Sequence, residues 1–150
     1  MLSRLVNQAL PLGPTAKVLV LGGGYSGRCF ARLLNAFGTT VISTRRHPEP
    51  NSTDLAFDSA TSVQPSASDL EGVSHVLCTI PPLREGGDPA LDDLGPLLSN
   101  ISPVWVGYLS TTGVYGDRQG NWVSESDAAS PGQDRSRRRL ACEQAWLNSG

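Results

Sequence analysis

Apolar positions along the chain fall into short runs separated by polar, glycine- and proline-rich stretches. Val18-Leu19-Val20-Leu21 is an unbroken run that predicts a strand over Lys17 to Leu21. Cys29, Phe30, Leu33, Leu34 and Phe37 then recur at three- and four-residue spacing, so a helix is expected from about Ser26 to Phe37, stopped by Gly38. A second strand is expected over Thr40 to Ser43, followed by a loop through His47-Pro48-Glu49-Pro50. Leu55-Ala56-Phe57 reads as a short third strand ending at Asp58, with a weak helical pattern later, at Ala67 to Leu70. His75 to Ile80 is a fourth strand, stopped by Pro81-Pro82. Asp88 and Pro89 read as N-cap and first residue of a helix carrying Leu91, Leu94, Leu97 and Leu98, disturbed at Gly95-Pro96. Val104 to Leu109 is a fifth strand, Ser110 to about Gly132 a loop, and Asp134 to Leu147 a last helix with Leu140, Ala141, Ala145 and Trp146 turned inward.

Strands alternating with helices predict an α/β fold with a doubly wound parallel sheet in the order 3-2-1-4-5. Strands one, four and five are continuous apolar runs, as burial on both faces requires. The ligand crevice is expected at the carboxyl ends of strands one and four. There the chain carries Gly22-Gly23-Gly24-Tyr25-Ser26-Gly27, which fits GxGxxG between a strand and a helix. That is the context a dinucleotide-binding Rossmann unit needs. Gly22 would let the chain turn, Gly24 would let a pyrophosphate approach the backbone, and Gly27 would let the helix lie close on the sheet. The helix start at Tyr25 and Ser26 would add amide donors and a partial positive charge. The expected organisation is a lead-in over residues 1–16 and a dinucleotide-binding domain over 17–150.

Composition narrows the classes. The 150 residues carry a net charge of −2, which gives no electrostatic argument for nucleic acid or an anionic membrane. No apolar run approaches the length of a membrane span, and the start does not read as a signal peptide. Cys29, Cys78 and Cys142 are widely spaced and odd in number, without metal-ligand spacing, which predicts reduced thiols, a cytoplasmic setting and no metal. Cys29 and Cys78 fall in apolar elements and are expected to be buried. The partners expected are a small-molecule substrate, with a homodimer allowed, and neither nucleic acid nor membrane.

The basic residues are eleven arginines and one lysine, Lys17. About 20 residues past the glycines, where an acid would bond the ribose of NAD, the chain has Thr44-Arg45-Arg46. A guanidinium fork suits a 2′-phosphate, so NADP is favoured over NAD, with a solvated arginine pair as the plain alternative. Asp58 is placed to accept from an adenine amino group or to form a turn. Thr79, Ile80 and Pro81 are expected to border the nicotinamide ribose.

Strand five ends in Tyr108-Leu109-Ser110-Thr111-Thr112-Gly113-Val114-Tyr115-Gly116-Asp117, followed by Gly120-Asn121-Trp122-Val123-Ser124-Glu125, Ser130-Pro131 and Glu143. With the glycine turn, this resembles the extended short-chain dehydrogenase/reductase superfamily, the NAD-dependent epimerase/dehydratase group, over nearly the whole chain from Lys17. GxGxxG in place of the group's usual GxxGxxG resembles its atypical, nucleoside-diphosphate-sugar epimerase-like branch. The resemblance implies an oxidoreductase acting on a carbonyl or carbinol carbon, with Thr111 as the catalytic hydroxyl and Ser110 as a neighbour able to substitute. The hydroxyls could equally satisfy backbone groups at the strand end. The group's Tyr-x-x-x-Lys pair would fall at Arg135 and Arg139, no tyrosine follows Tyr115, and the only lysine precedes the glycines. An arginine stays charged and cannot shuttle the proton. Arg135 and Arg139 share a helix face and are candidates for a substrate phosphate or carboxylate, or a solvated face. Members of the group continue into a sixth strand and a substrate domain, so an incomplete sheet is expected. A non-catalytic NADP-binding redox sensor is the alternative function. A flavin- or nucleotide-sugar-binding domain explains Arg45 and Arg46 less well.

Overall fold

The structure, a computed structural model, describes residues 12–149. The lead-in expected over residues 1–16 therefore lies largely outside the described residues. Strand β1 is Lys17–Leu21, with Val18 to Leu21 buried. Helix α1 (Tyr25–Ala36) and strand β2 (Thr40–Arg45) follow, then β3 (Leu55–Ala56), β4 (His75–Cys78), α2 (Pro89–Ile101), β5 (Trp105–Tyr108) and α3 (Asp134–Leu147). All five strands pair in parallel in the order β3-β2-β1-β4-β5. The expected order 3-2-1-4-5 is the observed one.

Side chains of β1 alternate between the two faces of the sheet. Leu19 and Leu21 join Val76 and Cys78 of β4, Ala90, Leu94 and Leu98 of α2, and Trp146 of α3 in the main core. On the other face α1 packs against β1 and β2 through the buried Gly27. Asp88 ties two helices together. Its Oδ1 accepts from the amides of Ala90 and Leu91 at 3.0 Å, capping α2, and its Oδ2 accepts from Trp146 Nε1 of α3 at 2.7 Å.

Several local expectations are corrected. Strand β2 runs two residues further than Ser43, because parallel pairing of Thr44 with Leu55 and of Arg45 with Ala56 extends the ladder. Residues 67–70 form turns, not a helix. Helix α2 passes through Pro96 unbroken, since Leu94 and Leu98 on either side are both buried while Asp92, whose carbonyl loses its partner, faces solvent. Strand β5 is a sheet edge with Trp105 and Val106 exposed, so its apolar run is not covered on both sides among the described residues. In α3 the buried residues are Ser136, Cys142 and Trp146, while Ala141 and Ala145 face outward. Cys29 is exposed, because α1 turns Gly27 to the sheet and leaves Leu33 and Phe37 partly in solvent; Cys78 is buried as expected.

Candidate functional site

The carboxyl ends of β1, β2 and β4 open into a cleft of about 850 Å³. Its floor is the glycine turn, which is locked from both sides. Thr44, fully buried at the end of β2, accepts from the Gly22 amide through Oγ1 at 3.0 Å and from the Gly23 amide through its carbonyl at 2.7 Å. Across the turn, Thr79 Oγ1 donates toward the carbonyls of Gly22 (2.7 Å) and Leu21 (3.2 Å). Gly22 has φ +96°, and a Cβ there would lie 2.7 Å from Thr79 Oγ1. A Cβ on Gly27 would run into the Gly22 carbonyl oxygen and approach Val20 Cγ1 at 3.0 Å. A Cβ on Gly23 would lie 2.9 Å from Arg45 Cγ. The fold itself demands these three glycines.

Gly24 is different. A Cβ there meets nothing within 4 Å, and φ −73°, ψ −160° suits any residue. It is the N-cap of α1, no side chain caps that helix, and its first turn holds no acid. The first-turn amides of α1 have no intrahelical acceptor, and they follow Gly24, which lines the cleft, at the positive end of the helix dipole.

Gly22, Gly24, Arg45, Arg46, Asp58, Thr79, Ile80 and Pro81 all line this one cleft; Tyr25 and Ser26 follow Gly24 and are exposed. Arg45 is engaged by Glu49 at 3.6 Å and Asp54 at 3.7 Å. Arg46 is exposed and has no acid partner among the described residues. Asp58 accepts from the Ala60 amide at 3.2 Å, so it forms a turn while lining the cleft.

A second pocket of about 340 Å³ shares Pro81, Pro82 and Arg84 with the cleft. Thr111, Arg135 and Arg139 meet here, with Ser136 and Arg138. Thr111 is exposed and caps the 3-10 turn Thr112–Tyr115, its Oγ1 accepting from the Gly113 amide at 3.3 Å. That leaves its O–H free to donate. Ser110 lines neither space; its Oγ is buried without a partner among the described residues, as is the Tyr108 hydroxyl. Tyr108 stacks on Trp146 at 6.1 Å beneath the Arg139 guanidinium, which lies 5.7 Å from its ring centre and donates to the Leu109 carbonyl at 2.7 Å. Burial pushes the Tyr108 phenol above its ordinary range, opposed more weakly by Arg139.

No family model and no curated relative matches the sequence. Solved structures do match. A functionally unknown conserved protein from Silicibacter pomeroyi is 35% identical, with a TM-score of 0.74 over 89% of this chain and 48% of that one. MoeE5 in complex with UDP-glucose and NAD gives a TM-score of 0.70 at 22% identity, over 89% of this chain and 49% of that one. UDP-N-acetylglucosamine 4-epimerase from Bacillus cereus gives 0.69 at 19% identity, over 88% of this chain and 48% of that one. The fold is that of the NAD-dependent epimerase/dehydratase proteins. The chain spans about half the length of the structures it matches.

Within this epimerase/dehydratase fold, sequence reasoning missed the two threonine locks on the turn, the need for glycine at position 23, and Arg84 in the second pocket. The hydroxyl at Thr44 was legible only as the absence of an acid. Arg84 stands two residues past Pro82, and Arg138 belongs to the basic cluster Arg135, Arg137, Arg138 and Arg139 on the last helix. Among the described residues no group of His, Cys, Asp and Glu side chains is arranged to hold a metal ion, and no helix is long and apolar enough to cross a membrane.

Proposed function

We propose that this chain is the NADP-binding domain of an oxidoreductase with the epimerase/dehydratase fold, acting on a carbonyl or carbinol carbon of a small molecule, nucleotide sugars included. One observation carries the reading. Of the four glycines of the turn, Gly24 is the one that neither a neighbouring atom nor its backbone angles require, and it stands at an uncapped helix start facing a cleft large enough for a dinucleotide. A pyrophosphate that needs close backbone approach explains it. MoeE5 holds NAD and UDP-glucose on the same fold, which supports a nicotinamide dinucleotide and a nucleotide-sugar substrate class.

Arg46, beside the end of β2 and without an acid partner among the described residues, supports NADP over NAD. Arg45 reaches a 2′-phosphate only by loosening Glu49 and Asp54. The bound nicotinamide would supply hydride transfer. The chain's own contribution is to seat the pyrophosphate on the α1 amides, to hold the end of β4 against the turn through Thr79, and to offer the Thr111 hydroxyl to a substrate oxygen. Its three cysteines are free thiols, which supports a reducing, cytoplasmic setting. A homodimer is supported by the exposed apolar edge at Val104, Trp105 and Val106, and sedimentation velocity tests it.

The second reading is a non-catalytic NADP-binding sensor. Arg135 and Arg139 stand where the tyrosine and lysine of the group would fall, and Lys17 is bonded to the Glu71 carbonyl at the amino end of β1, the end of the sheet away from the cleft. The Tyr108 hydroxyl is buried, and its raised phenol does not favour proton release near neutral pH. The test follows NADPH absorbance with a panel of sugar nucleotides and carbonyl compounds, for the protein and for Thr111→Ala. Turnover lost in Thr111→Ala supports the enzyme. NADPH binding without turnover across the panel supports the sensor.

A further inference from the structure

The geometry points to a substrate anion subsite in the second pocket. Arg84, Arg135 and Arg138, with the Thr111 hydroxyl, take a carboxylate or phosphate group of the substrate. The inference rests on the dinucleotide reading above for its place in a reaction, since the pocket shares its Pro81-Pro82-Arg84 wall with the cleft.

Charge is the first argument. Four guanidiniums line a space of about 340 Å³, and no acid lines it. Several arginines outside the cluster have partners. Arg45 has Glu49 and Asp54, Arg137 has Asp134, and Arg118 donates to the carbonyls of Tyr115 and Ala128. Arg139 is spent on the Leu109 carbonyl and the Tyr108 ring. Arg84, Arg135 and Arg138 have neither ion pair nor hydrogen bond among the described residues. A guanidinium does not deprotonate in a protein, so the cluster keeps its positive charge and favours an anion between its members. The placement also runs against local helix physics. Arg135 sits in the first turn of α3, where a cation opposes the helix dipole and no side chain caps the end. A local rule broken without local gain is expected where a site needs it.

Geometry is the second argument. Arg135 and Arg138 are one turn apart on α3, so their guanidiniums reach the same side, and Arg84 comes from the segment after β4. Ser136 fixes α3 against the 3-10 turn. It is buried, and a Cβ on Gly113 would lie 2.7 Å from its Oγ. The arginine face is thereby held at a set distance from Thr111. The Thr111 O–H adds a neutral donor to guanidiniums that can only donate, a set matched to a group that accepts.

The test is calorimetric titration of the full chain at low salt with two probes, inorganic pyrophosphate and succinate, each with and without saturating NADPH. Binding of pyrophosphate alone assigns the group as phosphate, and binding of succinate alone assigns it as carboxylate. Binding of both assigns an anion site of either kind. In each case binding persists under NADPH and weakens about tenfold or more in Arg135→Gln/Arg138→Gln, the loss expected when a charge-assisted contact goes. The inference is overturned if neither probe binds, if the double variant binds with full affinity, or if NADPH displaces the probe, which would place the anion in the dinucleotide cleft. Probe binding without any NADPH binding would leave this subsite standing and remove the dinucleotide reading.

Discussion

Gly24→Ala separates a glycine kept for a ligand from one kept for the fold. In the free protein two small effects oppose each other. Alanine is a poorer N-cap than glycine, at a cost of about 0.5–1 kcal/mol. It also narrows the unfolded ensemble, for a gain of about 0.4–1 kcal/mol where the native backbone suits it. The backbone at Gly24 does suit it, and the added methyl touches nothing, so the net change is within about 0.5 kcal/mol of zero. Gly22→Ala makes the contrast. There alanine must adopt φ +96° and push on Thr79 and Ile80, which together cost about 2–4 kcal/mol. For binding, the methyl at Gly24 stands where a pyrophosphate must meet the α1 amides. Losing one charge-assisted hydrogen bond costs about 1.5–3 kcal/mol, or about ten- to a hundredfold in Kd. Urea denaturation measures the first quantity and an NADPH fluorescence titration the second. The reasoning is refuted if Gly24→Ala binds NADPH within twofold of the parent, or unfolds as easily as Gly22→Ala.

Three further outcomes follow from the geometry. Arg46→Ala should weaken NADPH binding about tenfold and leave NADH unchanged, the loss expected for one exposed charge-assisted contact; equal losses for both cofactors would remove Arg46 from the 2′-phosphate. Asp88→Ala removes the α2 cap and leaves Trp146 Nε1 buried without an acceptor, so urea denaturation should show a loss of about 2–4 kcal/mol; less than about 1 would contradict the bridge between α2 and α3. Burial pushes the Cys78 thiol up to about 12 and the Cys142 thiol up to about 11 from an ordinary 9.0, so both raise the folded-state pKa. The stability they contribute is present below pH 9.0 and is lost as pH climbs toward about 12, and iodoacetamide at pH 8 should label Cys29 alone in the folded protein; rapid labelling of Cys78 would contradict its burial.

What could be read from the chain was what depends on neighbours in sequence. The glycine turn, the Asp88-Pro89 helix start, the bounds Asp134–Leu147 and the strand order all follow from local pattern and from the rules of parallel sheets. What could not be read depends on pairing across the chain. Arg45 looked free beside Arg46, but Asp54, nine residues on, reaches back to it once β3 docks on β2. Thr44 gains its part only because β2 lies against the turn 22 residues earlier. Pro96 reads as a breaker, yet burial of Leu94 and Leu98 outweighs the one hydrogen bond it forfeits. Ala141 and Ala145 are apolar without being inside, because the face of α3 is set by Trp146 reaching Asp88. In the second pocket the motif pointed to Thr111, Arg135 and Arg139, while Arg84 arrives from another element, with only its place two residues past Pro82 to mark it.

The central claim, that the glycine turn seats the pyrophosphate of NADP, is tested most directly by following the backbone amide resonances of the 15N-labelled chain as NADPH is added. The account predicts saturable shifts concentrated at Gly23, Gly24, Tyr25, Ser26 and Gly27, with Arg46 following for NADPH and staying still for NADH. Shifts confined to other surfaces, or none at millimolar NADPH, would contradict it.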